Sequence, residues 1–338
     1  MLSSPHLRFV IAGQLRRDYI ILQDGRAILD KPGGNLLYAA GGLGIWEKPV
    51  GLIGKVGKDY PQEWLQQIAD RDFDIRGISI FPQPLDLRYF VAYLDENTKQ
   101  TDNPIAHFKR VGLEFPHSLL GYVPSTEHHA VRIQPTPASI QLSEIPESYL
   151  DAIAVHICPL DYYSLTLLLT VFRQTHIHHI TLDLAVEYMN YALLDELPKL
   201  LDGIAALVVS EEKMRNLFKG RSTDLWEMAE DLASHRCEMI VIDRKKQGQY
   251  IYDCRGNVRW SLPMYPVKII DPTGLGDAFC GGFLAGYCGS YDPLEAALRG
   301  GISASFAVEG SGPFYGMDAL PSLAQARLDV LRQMARRV

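Results

Sequence analysis

The sequence predicts an α/β protein built on a mainly parallel sheet covered by helices on both faces, with a small β appendage. Two observations carry this expectation. Short apolar, β-branched runs alternate with helical patterns over most of the 338 residues, and such alternation calls for a parallel sheet with helical crossovers. Two segments break the alternation, each with strand-like pieces, a turn signal and no helical period.

The strand-like runs are Leu7–Gly13, Val50–Val56, Ala154–Cys158, Ile180–Leu184, Ala206–Val209, Met239–Asp243 and Val267–Ile270. Each is short and apolar and ends at Gly, Pro, Asp or Ser. Helical patterns cover Leu36–Trp46, Pro61–Arg71, Tyr162–Gln174, Thr223–His235, Ala278–Gly289 and Pro293–Val308. Pro61 and Pro293 stand where a first helical turn tolerates proline. The two exceptions are Tyr19–Lys31, around Gln-Asp-Gly-Arg, and Leu87–Phe108, where two apolar runs flank a polar turn. Both read as hairpins that could form a small sheet standing off the main domain.

Composition narrows the function classes. Apolar residues make up 47% and charged residues 22%, an ordinary globular balance. The net charge of −7 without a long basic run argues against a nucleic-acid binder, which needs basic stripes to neutralise phosphates. The five cysteines are odd in number and form no Cys-x-x-Cys pair, which points to reduced thiols rather than disulfides or a zinc ribbon. No basic n-region precedes an apolar stretch, and no window approaches 18 uninterrupted apolar residues, so a cytoplasmic protein is expected. His176-Ile-His-His179 has no carboxylate or Cys at ligand spacing and reads as solvent-facing histidines before a strand.

The chemistry concentrates in the window Val267-Lys-Ile-Ile-Asp-Pro-Thr-Gly-Leu-Gly-Asp277. A strand-like run enters a glycine turn, and the turn enters an apolar helix. Glycines let backbone N–H groups point inward, and together with the dipole of the following helix they make an anion site. Asp277 stands at the helix start, where the dipole favours a carboxylate able to accept a proton. Turn chemistry alone favours a glycine-shaped loop whose Asp caps a helix. Upstream, Gly33 and Gly34 open a helix, and Val50-Gly-Leu-Ile-Gly-Lys-Val-Gly-Lys-Asp59 follows. The glycines at 42, 44 and 54–57 do not form a dinucleotide fingerprint after the first strand.

These two windows resemble the signatures of the ribokinase-like (PfkB) carbohydrate kinases. One is Asp-Thr-x-Gly-Ala-Gly-Asp before a glycine-rich helix, and the other is a Gly-Gly pair followed by a strand ending in Gly-x-Asp. The resemblance spans about residues 7 to 320. It implies a three-layer α/β/α core formed by 1–18, 32–86 and 110–338, with a β-sheet lid at 19–31 and 87–109. It implies a phosphotransferase that uses ATP and Mg²⁺, with a monovalent cation such as K⁺ allowed, acting on a hydroxyl of a sugar or sugar-like molecule. Asp277 would be the catalytic base, and Gly274, Leu275 and Gly276 the anion hole. Asp18, Gly33 and Gly34 would hold the acceptor, with Asn35 as a polar candidate. Asn often stands in the family where Tyr38 is found here, so Tyr38 would mark a different or bulkier acceptor. A nucleoside kinase with Tyr38 or Tyr89 stacking on a base, and a ligand-binding member without catalysis, are the alternatives.

The match departs in places. Leu275 replaces an Ala, and Pro272, which lacks an N–H, replaces a Thr. Where the family has Asn-x-x-Glu, this chain has Ser210 and Lys213, with Glu211 and Glu212 near enough to reach Mg²⁺ through water. A Gly-x-x-Gly turn reads Lys245-Lys-Gln-Gly248, so Arg244, Lys245 and Gly248, with Ser210, Lys213 and Thr273, are the candidate nucleotide contacts. The segment Ala304–Pro313 resembles the family's adenine wall and monovalent-cation region. Exposed lid strands offer edges through which two copies could pair.

Overall fold

The computed structural model describes residues 7–95, 98–124 and 134–338. Part of the Pro- and His-rich stretch 112–147 and the polar tip of the second hairpin therefore lie outside the described residues. The chain opens with β1 (Phe9–Ala12), β2 (Arg16–Ile21), β3 (Ala27–Gly33), α1 (Asn35–Gly44), β4 (Val50–Gly57), α2 (Gln62–Ala69) and β5 (Phe73–Phe81). It continues with β6 (Arg88–Tyr93), β7 (Lys99–Gln100), α3 (Pro104–Arg110), β8 (Ala154–Ile157), α4 (Tyr162–Arg173) and β9 (His179–Leu182). Next come α5 (Leu197–Leu201), β10 (Ala206–Ser210), α6 (Glu211–Leu217), α7 (Leu225–Ala233), β11 (Met239–Asp243), β12 (Gln249–Asp253) and β13 (Val258–Leu262). The last elements are α8 (Leu275–Ser290), α9 (Pro293–Ala307), α10 (Pro321–Met334) and β14 (Arg336–Arg337).

The main sheet has the order β14-β13-β12-β11-β10-β9-β8-β1-β4-β5. Pairing is parallel from β11 through to β5 and antiparallel from β11 out to β14. Alternation along a strand feeds two cores. Val10 and Ala12 of β1 join one apolar cluster with α4 and α7, while Phe9 and Ile11 join another with α1 and α8. Helices thus cover both faces, giving three layers. His156 of β8 is buried against the Thr181 hydroxyl at 2.9 Å, and burial pushes its imidazole down to about 3, so it stays neutral.

The second sheet has the order β3-β2-β6-β7, with β2 and β6 parallel. Its outer face, with Tyr19, Ile21, Phe90 and Ala92, packs on Phe108 of α3 and on Phe115, Leu119 and Tyr122. Its inner face carries Ile20, Leu22 and Val91 with Tyr89 and Tyr93.

Three expectations need correction. Val267–Ile270 is not a strand. Pro263 and Pro266 remove ladder donors just before it, and the edge of β11 is already filled by β12. The segment is instead tied to the end of α9, with Ile270 and Asp271 N–H donating to Val308 O at 2.7 and 3.2 Å. The run Ile105–Phe108 is helical. Asn103 caps α3 by accepting from Ala106 N, and Pro104 sits in its first turn, a start signal that outweighs the strand-like composition. The small sheet takes in Arg16–Asp18, which the expected division assigned to the core at 1–18, because β2 begins at Arg16.

Candidate active site

Two helix N-termini meet at the site, and glycines allow it. A Cβ on Gly281 of α8 would stand 1.9 Å from Ala39 O of α1, and one on Gly42 would stand 2.1 Å from Ala278 O. Only hydrogen at these positions lets the backbones pack so closely. The close packing holds the Gly33–Gly34 entry of α1 beside the Gly274–Asp277 entry of α8.

At the second entry Gly274 has φ +73°, and a Cβ there would fall 2.0 Å from the Tyr38 ring. In front of Gly276 there is open space, with nothing within 4 Å of where a side chain would start. The Leu275 amide makes a long bond to Pro272 O at 3.4 Å. Asp277 lies in the first turn of α8, partly buried and with no hydrogen-bond partner among the described residues. Desolvation raises its carboxyl to about 7. Asp183 adds to the shift, and Arg16, Lys213 and Lys99 oppose it.

Asp18 faces this turn from β2. It is 2% exposed, its Oδ1 has no hydrogen-bond partner among the described residues, and Tyr38 Oη donates to its Oδ2 over a long 3.5 Å. Burial raises its carboxyl to about 7 against the pull of Arg16, with Asp271 and Asp277 adding to the rise. Asp18 forms no ion pair among the described residues, and the neighbouring Arg17 pairs with Asp30 at 2.6 Å on the opposite face of the strand. Gly33 is pressed against Asp18, since a Cβ there would be 1.8 Å from Oδ2. Gly34 takes φ +97° beneath Gln14 O, which a Cβ would strike at 2.3 Å.

Two proposed acceptor contacts sit differently from expectation. Both ends of the Asn35 amide are committed to backbone, accepting from Gln14 N at 2.7 Å and donating to Pro159 O at 2.9 Å. It ties the ends of β1 and β8 together and is not left to bind a hydroxyl. Tyr38 is 3% exposed and wedged between Asp18 and Gly274. It couples the two halves of the site and presents no free face on which a base could stack.

At the end of β10, Ser210 caps α6 by accepting from Lys213 N. Lys213 Nζ donates to Asp183 Oδ1 and to Leu184 O, both at 2.7 Å. Burial works against the Lys213 charge, but the attraction of Asp183 outweighs it and holds the ammonium above its usual value. Glu211 is held by Arg215 and Arg244, and Arg244 also lies 4.0 Å over the Tyr250 ring. Arg244 is therefore locked in place instead of standing free for phosphate. Glu212 makes no such bond among the described residues and lines an open cleft of about 340 Å³ with Ser210, Arg244, Lys245 and Asp243. Gly248 does not line this cleft. Its φ of +81° turns the chain into β12, where a Cβ would meet Leu262 O at 2.0 Å. Thr273 is buried and its hydroxyl is taken by Tyr93 of the small sheet at 3.0 Å, which fastens that sheet to the glycine turn.

A match to the pfkB carbohydrate kinase family model runs over residues 148–320, half of the chain and all of the glycine turn. The chain belongs to the pfkB family of carbohydrate kinases. The chain is similar to a cytidine kinase of Thermococcus kodakarensis, 29% identical over 297 residues that cover 88% of this chain and 94% of the relative. A putative ribokinase II from E. coli, solved with ATP and Mg²⁺, has a TM-score of 0.70 at 18% identity, covering 96% of this chain and 99% of that one. A nucleoside kinase of Burkholderia thailandensis solved with inosine has a TM-score of 0.67 at 16% identity, covering 96% and 98%. The fold is therefore ribokinase-like.

Sequence reasoning passed over three residues that this pfkB site brings in: Tyr93, Lys99 and Asp183. The first two could have been found by writing the hairpin in register, since Tyr93 and Lys99 pair across β6 and β7 and share a face. Asp183 had no local signal, because its importance comes from Lys213, thirty residues away.

Proposed function

We propose that this protein transfers the γ-phosphoryl group of ATP to a hydroxyl of a ribose-containing small molecule, and that the acceptor is a nucleoside. The observation that carries the phosphotransfer is Asp277: a carboxylate without a hydrogen-bond partner among the described residues, at a helix start and beside the open space before Gly276. With its carboxyl near 7 it can take a proton at neutral pH. The Gly274–Gly276 backbone and the α8 dipole would stabilise the transferring phosphoryl. Asp18, which only accepts when ionised, would hold the acceptor diol, with Gly33 and Gly34 beneath it. Fastening of the small sheet to Thr273 would exclude water from the reaction.

Bound Mg²⁺ supplies charge neutralisation between the phosphates. Glu212 is the carboxylate left to reach it through water, since Glu211 is occupied by two arginines. Asp271 fits a monovalent cation. It is 1% exposed, its Oδ2 has no hydrogen-bond partner among the described residues, and its backbone is tied to the 304–313 segment through Val308 O. In assays with MgCl₂ and KCl varied separately, E212Q should need about tenfold more Mg²⁺. D271N should remove any preference for K⁺ over Na⁺. An unchanged cation response in either variant would reject that residue's assignment.

The nucleoside reading rests on the inner face of the lid, where Tyr89 and Tyr93, partly exposed over the buried cluster of Ile20, Leu22 and Val91, offer aromatic rings to a flat base. The kinship with a cytidine kinase over most of the chain agrees with it. The test is a panel of nucleosides, free sugars and polyols with ATP. A nucleoside should exceed free ribose or fructose by at least about tenfold in kcat/KM, the worth of one well-filled apolar contact. Preference for free sugars would restore the carbohydrate reading, and ATP binding with no acceptor turned over would point to a ligand-binding protein. No helix among the described residues is long and apolar enough to cross a membrane. Pairing of two copies through the lid would have to use the edges of β3 or β7, because α3 covers the outer face.

A further inference from the structure

The inner face of the lid also carries a cation, Lys99 of β7. Lys99 stands opposite Tyr93 across the antiparallel β6–β7 pair. Directly opposed side chains share a face with Cβ atoms about 5 Å apart. The Tyr93 hydroxyl reaches Thr273 at 3.0 Å, one residue before the glycine turn. A lysine side chain beside it therefore extends toward the same turn.

The charges around Lys99 agree. Desolvation lowers the pKa of its ammonium; Asp277 and Glu212 oppose that, while Arg16 and Lys213 add to it. These groups surround the line from acceptor to phosphate donor: Asp277 on the reacting hydroxyl, Glu212 on the nucleotide cleft. Lys99 has no hydrogen bond or ion pair among the described residues. The other cations nearby are engaged. Lys213 is held by Asp183 and Leu184 O. Arg16 lies flat over Tyr89 at 4.5 Å and donates to Gln14 Oε1, and it acts on Asp18 more strongly than any other charge.

We propose that Lys99 is a catalytic residue delivered by the lid, whose ammonium lies on the transferring phosphoryl group. The inference rests on the kinase reading above. The acceptor hydroxyl oxygen forms the new P–O bond as the bond between the γ-phosphorus and the β–γ bridging oxygen breaks. The hydroxyl proton passes to Asp277, and ADP leaves with the bridging oxygen. Charge on the equatorial oxygens is then met by the Gly274–Gly276 backbone from one side and by Lys99 from the other. This placement also gives a reason for Lys213 to be tied off. A second mobile ammonium beside Asp277 would hold the base's charge too tightly.

The test compares K99M and K99R with the wild type on the best acceptor from the panel. Three quantities are read: steady-state kinetics, acceptor binding without nucleotide, and affinity for ADP with aluminium fluoride, which mimics the transferring group. K99M should lower kcat about 100-fold or more, the size of losing one preorganised donor. It should weaken the ADP–aluminium fluoride complex similarly and leave acceptor affinity within about twofold. K99R should recover part of kcat. If K99M keeps kcat within threefold, or raises only the acceptor KM, Lys99 does not touch the phosphoryl group and the proposal is overturned while the kinase reading stands. If the wild type phosphorylates nothing, the kinase reading itself fails.

Discussion

Asp277→Asn is expected to lower kcat by about 100- to 10,000-fold, the range for losing a positioned general base, while the acceptor and ATP still bind. The amide keeps the shape and cannot take the proton. The wild type should show a pH profile that matches this role. Burial raises both Asp277 and Asp18 to about 7, and both must be ionised, one to accept the proton and one to accept the diol. Turnover should therefore fall below pH 7 more steeply than tenfold per unit and level off above about pH 8. The same shifts predict a stability effect of opposite sign. A carboxylate whose folded pKa is raised binds its proton more tightly in the folded state, so stability declines as pH rises from about 4 through 7. Asp277→Asn removes that penalty, and its Tm should exceed that of the wild type at pH 8 by about 2 °C or more, with the gap closing near pH 4. A variant that is both active and no more stable at pH 8 would remove Asp277 from the base role.

Gly33→Ala should be nearly as damaging to function, by a different route. The new methyl would stand 1.8 Å from Asp18 Oδ2, well inside contact distance, so the carboxylate must move. A shift of about 1 Å in a positioning group can cost about 100-fold in kcat/KM. The loss should appear mainly as a raised acceptor KM, with ATP affinity unchanged, because Asp18 lies on the acceptor side. Overpacking adds about 1–3 kcal/mol of destabilisation. Asp18→Asn in the same assay separates the two effects. It should reproduce the KM defect without the loss of Tm. If Gly33→Ala binds acceptor normally, the glycine is there only for the turn and Asp18 is not the diol acceptor.

Much of the site could be read in the sequence because its key parts are local. The glycine turn and Asp277 are consecutive, and their chemistry follows from backbone donors meeting a helix start. The parallel core was legible from strand–helix alternation, which reflects burial on both faces. The local reading failed where a remote partner determines the outcome. Val267–Ile270 has strand composition, yet β12 already occupies the edge it would need. Ile105–Phe108 has the same kind of composition, and its cap at Asn103 makes it a helix.

By itself, then, the amino-acid sequence determined the glycine turn, the carboxylate at its end and the layered sheet beneath them, since neighbouring residues and periodic burial specify each. Tertiary structure alone decided which polar groups are free to act. Asn35 is tied to Gln14 and Pro159, Lys213 to Asp183, Glu211 to two arginines, and Thr273 to Tyr93. Asp277, Glu212 and Lys99 stay without such bonds among the described residues. The physical reason is that a hydrogen-bonding group is defined by its partner, and here the partners lie tens of residues away along the chain.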